Sequence, residues 1–281
     1  MNPVMAVENF CSAGVGWQFP DHTITANEEA TGSEVERVAD GRRGAADKWT
    51  PTTANSAAYV NVACDRTRAA NFIALDRGHN LAGYDLELRG SQQSAFTTYE
   101  TVLDITLPSA TAAGNIDDAL GVRTEEGAWF KRFDLNTYQY WRVHIPAMGA
   151  SLKPEIVGLW LGLCYAPDYF DKPWGEDGAE LIHQETQSPS GWAGRGVANK
   201  QRSGVVQLSL STFEEYDHEA RYHVQGLYGE GFPMWIAFDE TQADRAVLAE
   251  LPLGRLAFSL TGTWGYRSAA IPWREREPLR P

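Results

Sequence analysis

The chain has 281 residues, of which 24 are basic and 37 are acidic, so its formal net charge is −13. Nucleic acid and anionic membrane surfaces repel such a chain, which makes both poor partners. Its hydrophobic content of 43%, with 10 Trp, 11 Tyr and 11 Phe, excludes a disordered protein. Its length predicts two domains or one large β domain.

The N-terminal residues 1–11 contain neither a basic region nor a long apolar run. We therefore expect no signal peptide, no membrane insertion, and synthesis and folding in a cytoplasm. The three cysteines, Cys11, Cys64 and Cys164, are far apart and lie among apolar neighbours. Their odd number and wide spacing predict small buried hydrophobic residues, with neither a disulfide framework nor a zinc site.

The first clear strand signals lie in residues 57–89. Residues 57–63 form one candidate strand, and residues 71–75 are almost all apolar, as in a strand covered on both faces. A tight polar turn at 76–80 follows, because Gly78 tolerates a positive φ and Asn80 can bond its own backbone. Residues 84–89 then alternate between apolar and charged side chains and predict the second strand of a hairpin.

Four further segments, 101–107, 128–133, 140–145 and 156–164, predict strands. In 140–145, Trp141, Val143 and Ile145 share one face, whereas Arg142 and His144 share the other. Residues 156–164 are a continuous apolar run that is too short to span a bilayer, so we expect a buried strand that closes the first domain. About six strands separated by short turns indicate an antiparallel β-sandwich.

The apolar strand, the GHNL turn at 78–81 and the alternating strand resemble the galactose-binding-like (discoidin-type) jelly roll, in particular the versions in phage tail proteins. Trp49-Thr50-Pro51 also fits that pattern, and we expect Trp49 itself to plug the end of the core. The resemblance implies, by loop position alone, that ligand contacts come from Asp76, Arg77, His79 and Asn80. A local hydrogen bond within the turn is the alternative role for His79.

Residues 166–178 break all periodicity with Pro, Gly and acidic residues, and predict the domain boundary. We therefore expect a galactose-binding-like β-sandwich in residues 1–165 and a smaller α+β or β tail-assembly domain in residues 166–281. Aromatic residues flank and fill the connection, and they are candidates for a sugar-stacking or partner-binding platform: Tyr165, Tyr169, Phe170 and Trp174. The alternative is an aromatic connection that only joins the two domains.

The second half mixes strand and helix signals. Residues 191–200 are rich in Gly and predict a flexible surface loop, and the capping box Ser211-Thr212-Phe213-Glu214 predicts the start of a helix that continues to 226. The remaining predicted elements are a short helix at 243–250 and strands at 205–210, 232–238, 254–260 and 263–271. This order resembles C-terminal regions of phage tail and baseplate proteins, in which a sheet docks onto neighbouring subunits.

No catalytic constellation is recognisable. Adjacent acid pairs are expected by chance in a chain with 37 acidic residues, and neither a nucleophile elbow nor a complete phosphate-binding loop is present. The six histidines lack metal-ligand spacing. We therefore predict no enzyme, no catalytic residue, no metal and no cofactor.

Two functions follow from these patterns. The first is a structural component of a bacteriophage tail (tail tip, baseplate or minor tail protein) that binds other tail proteins, forms a trimer or hexamer, and resides in the virion after synthesis in the host cytoplasm. The alternative is a carbohydrate- or host-receptor-binding module of a virion or secreted protein. A glycan on the host surface would then stack on Trp or Tyr rings. A glycan hydrolase is a third function that nothing in the sequence demands.

Overall fold

The structure, a computed structural model, describes residues 4–6, 9, 11, 22–39, 47–109, 122–123, 128–149, 151–165, 175–187, 193–210, 233–237, 246–250, 258–261 and 266–275. The strands in chain order are β1 (Val4–Ala6), β2 (Thr23–Ala26), β3 (Ala58–Leu75), β4 (Asp85–Ser91), β5 (Glu100–Thr106), β6 (Val122–Arg123), β7 (Trp129–Ile145), β8 (Leu159–Gly162), β9 (Cys164–Tyr165), β10 (Gly175–Gln187), β11 (Ala193–Leu210), β12 (Met234–Ala237), β13 (Ala246–Glu250), β14 (Phe258–Thr261) and β15 (Tyr266–Glu275). Within these ranges the only helix is a 3-10 turn at Val35–Val38, so the predicted β class is confirmed.

The chain forms two compact units. The sandwich unit comprises Ala6–Cys164, Ala237–Ala246 and Pro281, and the second unit comprises Met1–Met5, Tyr165–Ile236 and Val247–Arg280. Each unit is described separately below.

The sandwich unit is built on one sheet with the strand order β2-β3-β7-β4-β5, to which β6 adds on β7 and β8 adds on β3. All of these pairs are antiparallel. The long strands β3 and β7 pair along their length, with register breaks between Ala63 and Arg68 and between Ala70 and Phe72. The breaks divide the sheet into a five-stranded layer and a smaller layer made by β6, β8 and the remaining halves of β3 and β7. This is the predicted antiparallel β-sandwich.

The inward faces of the two layers bury apolar side chains against each other. From the five-stranded layer come Leu88 on β4 and Trp141 and Val143 on β7, and from the other layer come Leu159 and Leu161 on β8. None of these side chains is more than 1% exposed. The alternation in 84–89 and 140–145 therefore predicted the buried face of each strand correctly.

The second half of β3 is buried on both of its faces, as its continuous apolar sequence predicted. Ile73 and Leu75 belong to the core between the layers. Phe72, on the other side of the strand, stacks on Phe130 of β7 with ring centroids 5.7 Å apart. All three β3 side chains are fully buried.

Two predictions about single buried residues are also confirmed. Trp49 is fully buried, its backbone N–H donates to the carbonyl oxygen of Ile156 at 2.9 Å, and its indole Nε1 donates to the carbonyl oxygen of Glu28 at 3.1 Å. It belongs to the hydrophobic core of the sandwich unit. The three cysteines are buried as well.

The predicted hairpin around residues 76–80 is wrong. Strand β3 and strand β4 do not pair, because β7 lies between them and bonds to both. The turn instead joins one layer of the sandwich to the other. Residues 58–63 and 71–75 are parts of one continuous strand, and so are 129–133 and 140–145, because β-bulges absorb the irregular residues without ending the ladder.

The second unit carries a sheet that contains eight strands in the described residues, in the order β10-β11-β15-β13-β12-β1-β9, with β14 on β15. Residues 193–200, predicted as a loop, lie in β11 and pair with β10. Residues 246–250, predicted as helical, form β13 and pair with β15. In both places ladder pairing with a neighbouring strand overrides local composition. The helix predicted from Ser211 to 226 lies outside the described residues.

No helix in the described residues is long and apolar enough to cross a membrane.

Candidate functional site

The four residues predicted as ligand contacts lie together in the connection between β3 and β4. Asp76 is 4% exposed, its N–H donates to the carbonyl oxygen of Gly158 at 2.9 Å, and its Oδ1 accepts the N–H of Arg77 at 2.8 Å. The Nδ1 of His79 accepts the N–H of Leu81 at 3.2 Å, which is the local hydrogen bond considered for this residue.

Asn80 joins this connection to the loop before β8. Its Nδ2 donates to the carbonyl oxygen of Lys153 and its Oδ1 accepts the N–H of Glu155, both at 2.8 Å. Both ends of the amide are therefore occupied by backbone groups in the structure. The ligand role of Asp76, Arg77, His79 and Asn80 stays a prediction.

Of the four platform candidates, Tyr165 is described and is 7% exposed in β9. Its platform role stays a prediction. Tyr169, Phe170 and Trp174 lie outside the described residues.

A different polar cluster lies on the outer side of the five-stranded layer, opposite the core. Strand pairing places one residue from each of β3, β7 and β4 in a row, and a second such row lies directly beside the first. We call these side chains the polar face: Asn61, Arg142 and Arg89 in one row, and Tyr59, His144 and Glu87 in the other. All are half-buried.

Arg89 connects the β4 side of the polar face. Its Nε and Nη2 donate to Oε2 of Glu87 at 2.8 and 2.5 Å, and its Nη2 also lies 3.3 Å from Nδ1 of His144. Since a guanidinium only donates, Nδ1 of His144 can accept this hydrogen bond only when the imidazole is neutral. The Arg89 guanidinium also lies 4.7 Å from the ring centre of Tyr99, which is 49% exposed.

Arg142 occupies the middle of the polar face. Its guanidinium carbon lies 4.0 Å from the ring centres of both Tyr59 and Phe96, so it makes two cation–π contacts. Its Nε donates to Oδ1 of Asn61 at 2.7 Å. These three contacts orient the guanidinium, and the terminal nitrogens Nη1 and Nη2 have no hydrogen-bond or carboxylate partner among the described residues.

The loop 92–99 between β4 and β5 brings Phe96 to this position. Ser91, which is 2% exposed, donates from Oγ to the carbonyl oxygen of Thr98 at 2.6 Å and accepts the N–H of Gln93 at 2.9 Å. Phe96 has a φ of 52°, a left-handed conformation that bulky side chains rarely adopt. The loop therefore holds a strained residue in contact with Arg142, and such strain concentrates at functional sites.

The polar face offers fixed donors and acceptors on a flat surface beside an exposed aromatic ring. Glu87 is held by two charge-assisted hydrogen bonds from Arg89. The described residues contain no group of three or more His, Cys, Asp or Glu side chains placed to hold a metal ion. The arrangement is suited to hydrogen bonding and stacking with a bound molecule.

His144 makes the stability of the sandwich unit depend on pH. Burial lowers the pKa of His144 below its ordinary value of 6.5, and Arg89 and Arg142 lower it further, while Glu87 at 3.8 Å opposes them. Below about pH 6.5 the unfolded chain therefore binds a proton that the folded chain does not bind, and the free energy of unfolding falls as the pH falls toward the folded pKa.

We expect the melting temperature to fall less between pH 7 and about pH 5 in His144→Gln than in the native chain, as measured by thermal denaturation. Identical pH profiles would contradict this assignment.

Strand alternation placed Arg142 and His144 on one face of a strand, and Glu87 and Arg89 on one face of another. None of these four residues was predicted as a site residue. The pattern that could have indicated this cluster is the charged residues at alternate positions of two predicted strands. Nothing in the sequence indicated that these strands are neighbours.

No protein-family model and no curated protein matches the chain. Among solved structures, similarity is found to chitosan-binding module 1 of a chitosanase/glucanase from Paenibacillus sp. IK-5, with 18% identity, a TM-score of 0.40, and coverage of 55% of this chain and 98% of that one. Chitosan-binding module 2 of the same enzyme, in complex with chitotriose, is 13% identical with a TM-score of 0.39, and the match covers 51% of this chain and 97% of that one. The family 32 CBM of Clostridium perfringens NanJ, in complex with galactose, is 14% identical with a TM-score of 0.37, and the match covers 51% of this chain and 93% of that one.

Proposed function

We propose that the sandwich unit is a carbohydrate-binding module that binds its glycan on the polar face without chemical conversion. The observation behind this proposal is the combination of fixed planar polar groups with the exposed ring of Tyr99 on one sheet face.

Sugars present many hydroxyl groups, each of which both donates and accepts, together with apolar C–H faces. Planar side chains such as those of Glu87, Arg89 and Asn61 can bond neighbouring hydroxyls, and an aromatic ring stacks on the C–H face. These side chains already hold one another, so a ligand orders few of them on binding. Preorganisation of this kind lowers the entropy cost of binding.

Tyr99→Ala provides the direct test. We expect the variant to bind its glycan about 10-fold more weakly, because it loses the aromatic ring that stacks on the sugar while the six side chains of the polar face remain in place. The native chain is first screened on a glycan array, and the affinity of both proteins for the best ligand is then measured by titration calorimetry.

Leu135→Ala is the matched control, because Leu135 is also large and exposed, at 64%, but does not belong to the polar face. Its affinity is expected to equal that of the native chain. A native chain that binds no glycan on the array contradicts the proposed function. Equal losses in both variants contradict the assignment to the polar face.

A phage tail subunit is the other function suggested by the sequence, and no contact in the described residues favours it. Large exposed hydrophobic side chains are limited, in the described part, to Tyr99, Leu135 and Leu152, which is little for a stable subunit interface. The open edge strand β5 also carries Glu100 and Asp104, and charged side chains oppose strand addition at an edge. The tail, virion and oligomer assignments stay predictions. The mass in solution, by light scattering, tests them, and a clean monomer contradicts the expected trimer or hexamer.

A further inference from the structure

Arg142 is the one guanidinium of the polar face that has no acidic partner among the described residues. The single carboxylate of the face, Glu87, is bound to Arg89. Among the six side chains of the polar face, one carboxylate therefore stands against two guanidinium groups, and the positive charge of Arg142 contacts no carboxylate among the described residues. This occurs in a chain whose formal net charge is −13, so it is a local property of the site.

The surroundings of Arg142 make this charge costly. Burial lowers the pKa of the Arg142 guanidinium, and Arg89 on the neighbouring strand lowers it further, while Tyr59 and Tyr99 oppose this shift. A charged group withdrawn from water is stabilised only when an opposite charge or further hydrogen bonds replace its hydration. Asp104, on the edge strand β5, pairs with Glu87. It lies two strands away from Arg142, so it is not the acidic partner of that guanidinium.

The contacts of Arg142 leave one edge of its guanidinium without a partner among the described residues. The rings of Tyr59 and Phe96 pack on the guanidinium, and Asn61 accepts a hydrogen bond from Nε. What remains is the edge with Nη1 and Nη2, which present parallel N–H groups in one plane. This fork matches the two oxygens of a carboxylate.

We propose that the glycan bound by the polar face contains a carboxylate-bearing sugar unit of the hexuronate type, and that its carboxylate is held by the two terminal nitrogens of Arg142. This inference rests on the proposed function and specifies its ligand class. Arg142 thereby determines specificity, while Tyr99 provides the stacking surface that an acidic and a neutral glycan share.

The test is a matched pair of ligands: an oligogalacturonate and the same oligosaccharide with its carboxyl groups reduced to alcohols. Titration calorimetry with the native chain is expected to give about 10- to 100-fold tighter binding of the acidic ligand. In Arg142→Gln the preference is expected to disappear, with both ligands bound at the weaker affinity. In Arg142→Lys it is expected to fall to a few-fold, because the charge stays but the fork is lost.

Arg66→Gln is the control, because it removes an arginine charge from a side chain that is 73% exposed and outside the polar face, and it is expected to keep the full preference. Circular dichroism and thermal melting verify that each variant is folded, and Arg142→Lys covers the case in which Arg142→Gln does not fold.

The outcomes separate the two proposals. Equal affinity of the native chain for both ligands overturns the carboxylate inference and leaves glycan binding intact. Binding of sulfated glycans in preference to the oligogalacturonate overturns it as well. A preference that survives in Arg142→Gln overturns the role of Arg142. Absence of binding to every glycan overturns the proposed function together with this inference.

Discussion

Replacing Gly90 by alanine is expected to cost the sandwich unit about 1–3 kcal/mol of unfolding free energy. A β-carbon on Gly90 would lie 2.1 Å from Cδ2 and 2.3 Å from Cε2 of the Tyr138 ring. The ring cannot move away easily, because it packs edge-on against Trp141 at a centroid distance of 5.2 Å and its hydroxyl donates to Glu100. Urea denaturation measures the effect as a lower midpoint with an unchanged slope.

A double-mutant cycle identifies the cause of that loss. In a Tyr138→Ala background the ring is absent, so Gly90→Ala is expected to be neutral or slightly stabilising, since alanine has less backbone entropy to lose than glycine. An equal penalty in both backgrounds would show that the ring contact is not responsible.

Asn80→Ala is expected to destabilise the sandwich unit by about 2–3 kcal/mol. The substitution removes two hydrogen bonds of 2.8 Å and leaves the carbonyl oxygen of Lys153 and the N–H of Glu155 without their side-chain partner. These bonds connect segments 73 and 75 residues apart in sequence, so their loss also loosens the contact between the two loops. Urea denaturation again provides the measurement.

The same variant tests the ligand role that loop position implied for Asn80. If Asn80 only connects the two loops, the folded variant binds the best array glycan with native affinity. A stable variant with weakened binding would instead support the ligand role. Asn136→Ala is the control, because the Nδ2 of Asn136 bonds the carbonyl oxygen of Asp134 only two residues away, and its loss is expected to cost less than 1 kcal/mol.

Strand class and the inward faces were readable from the sequence because they depend on alternation within a single segment. Leu88 and Val143 point into the core, while Arg89 and Arg142 point outward, as the two-residue period required. The burial of residues 71–75 on both faces followed from their continuous apolar sequence. The errors in the second unit, at 193–200 and 246–250, arose where pairing with β10 and β15 outweighed local glycine content and helical periodicity.

The sequence by itself determined that this protein is a mainly β chain with a sandwich core and outward charged positions on two of its strands. Only the tertiary structure decided that β7 lies between β3 and β4, which places Arg142 beside Arg89 and beneath Phe96 of the loop 92–99. Strand order depends on pairing between segments that lie far apart in the chain, and that pairing is selected by the packing of the whole core. The outward residues of separate strands therefore become one site only when the sandwich has formed.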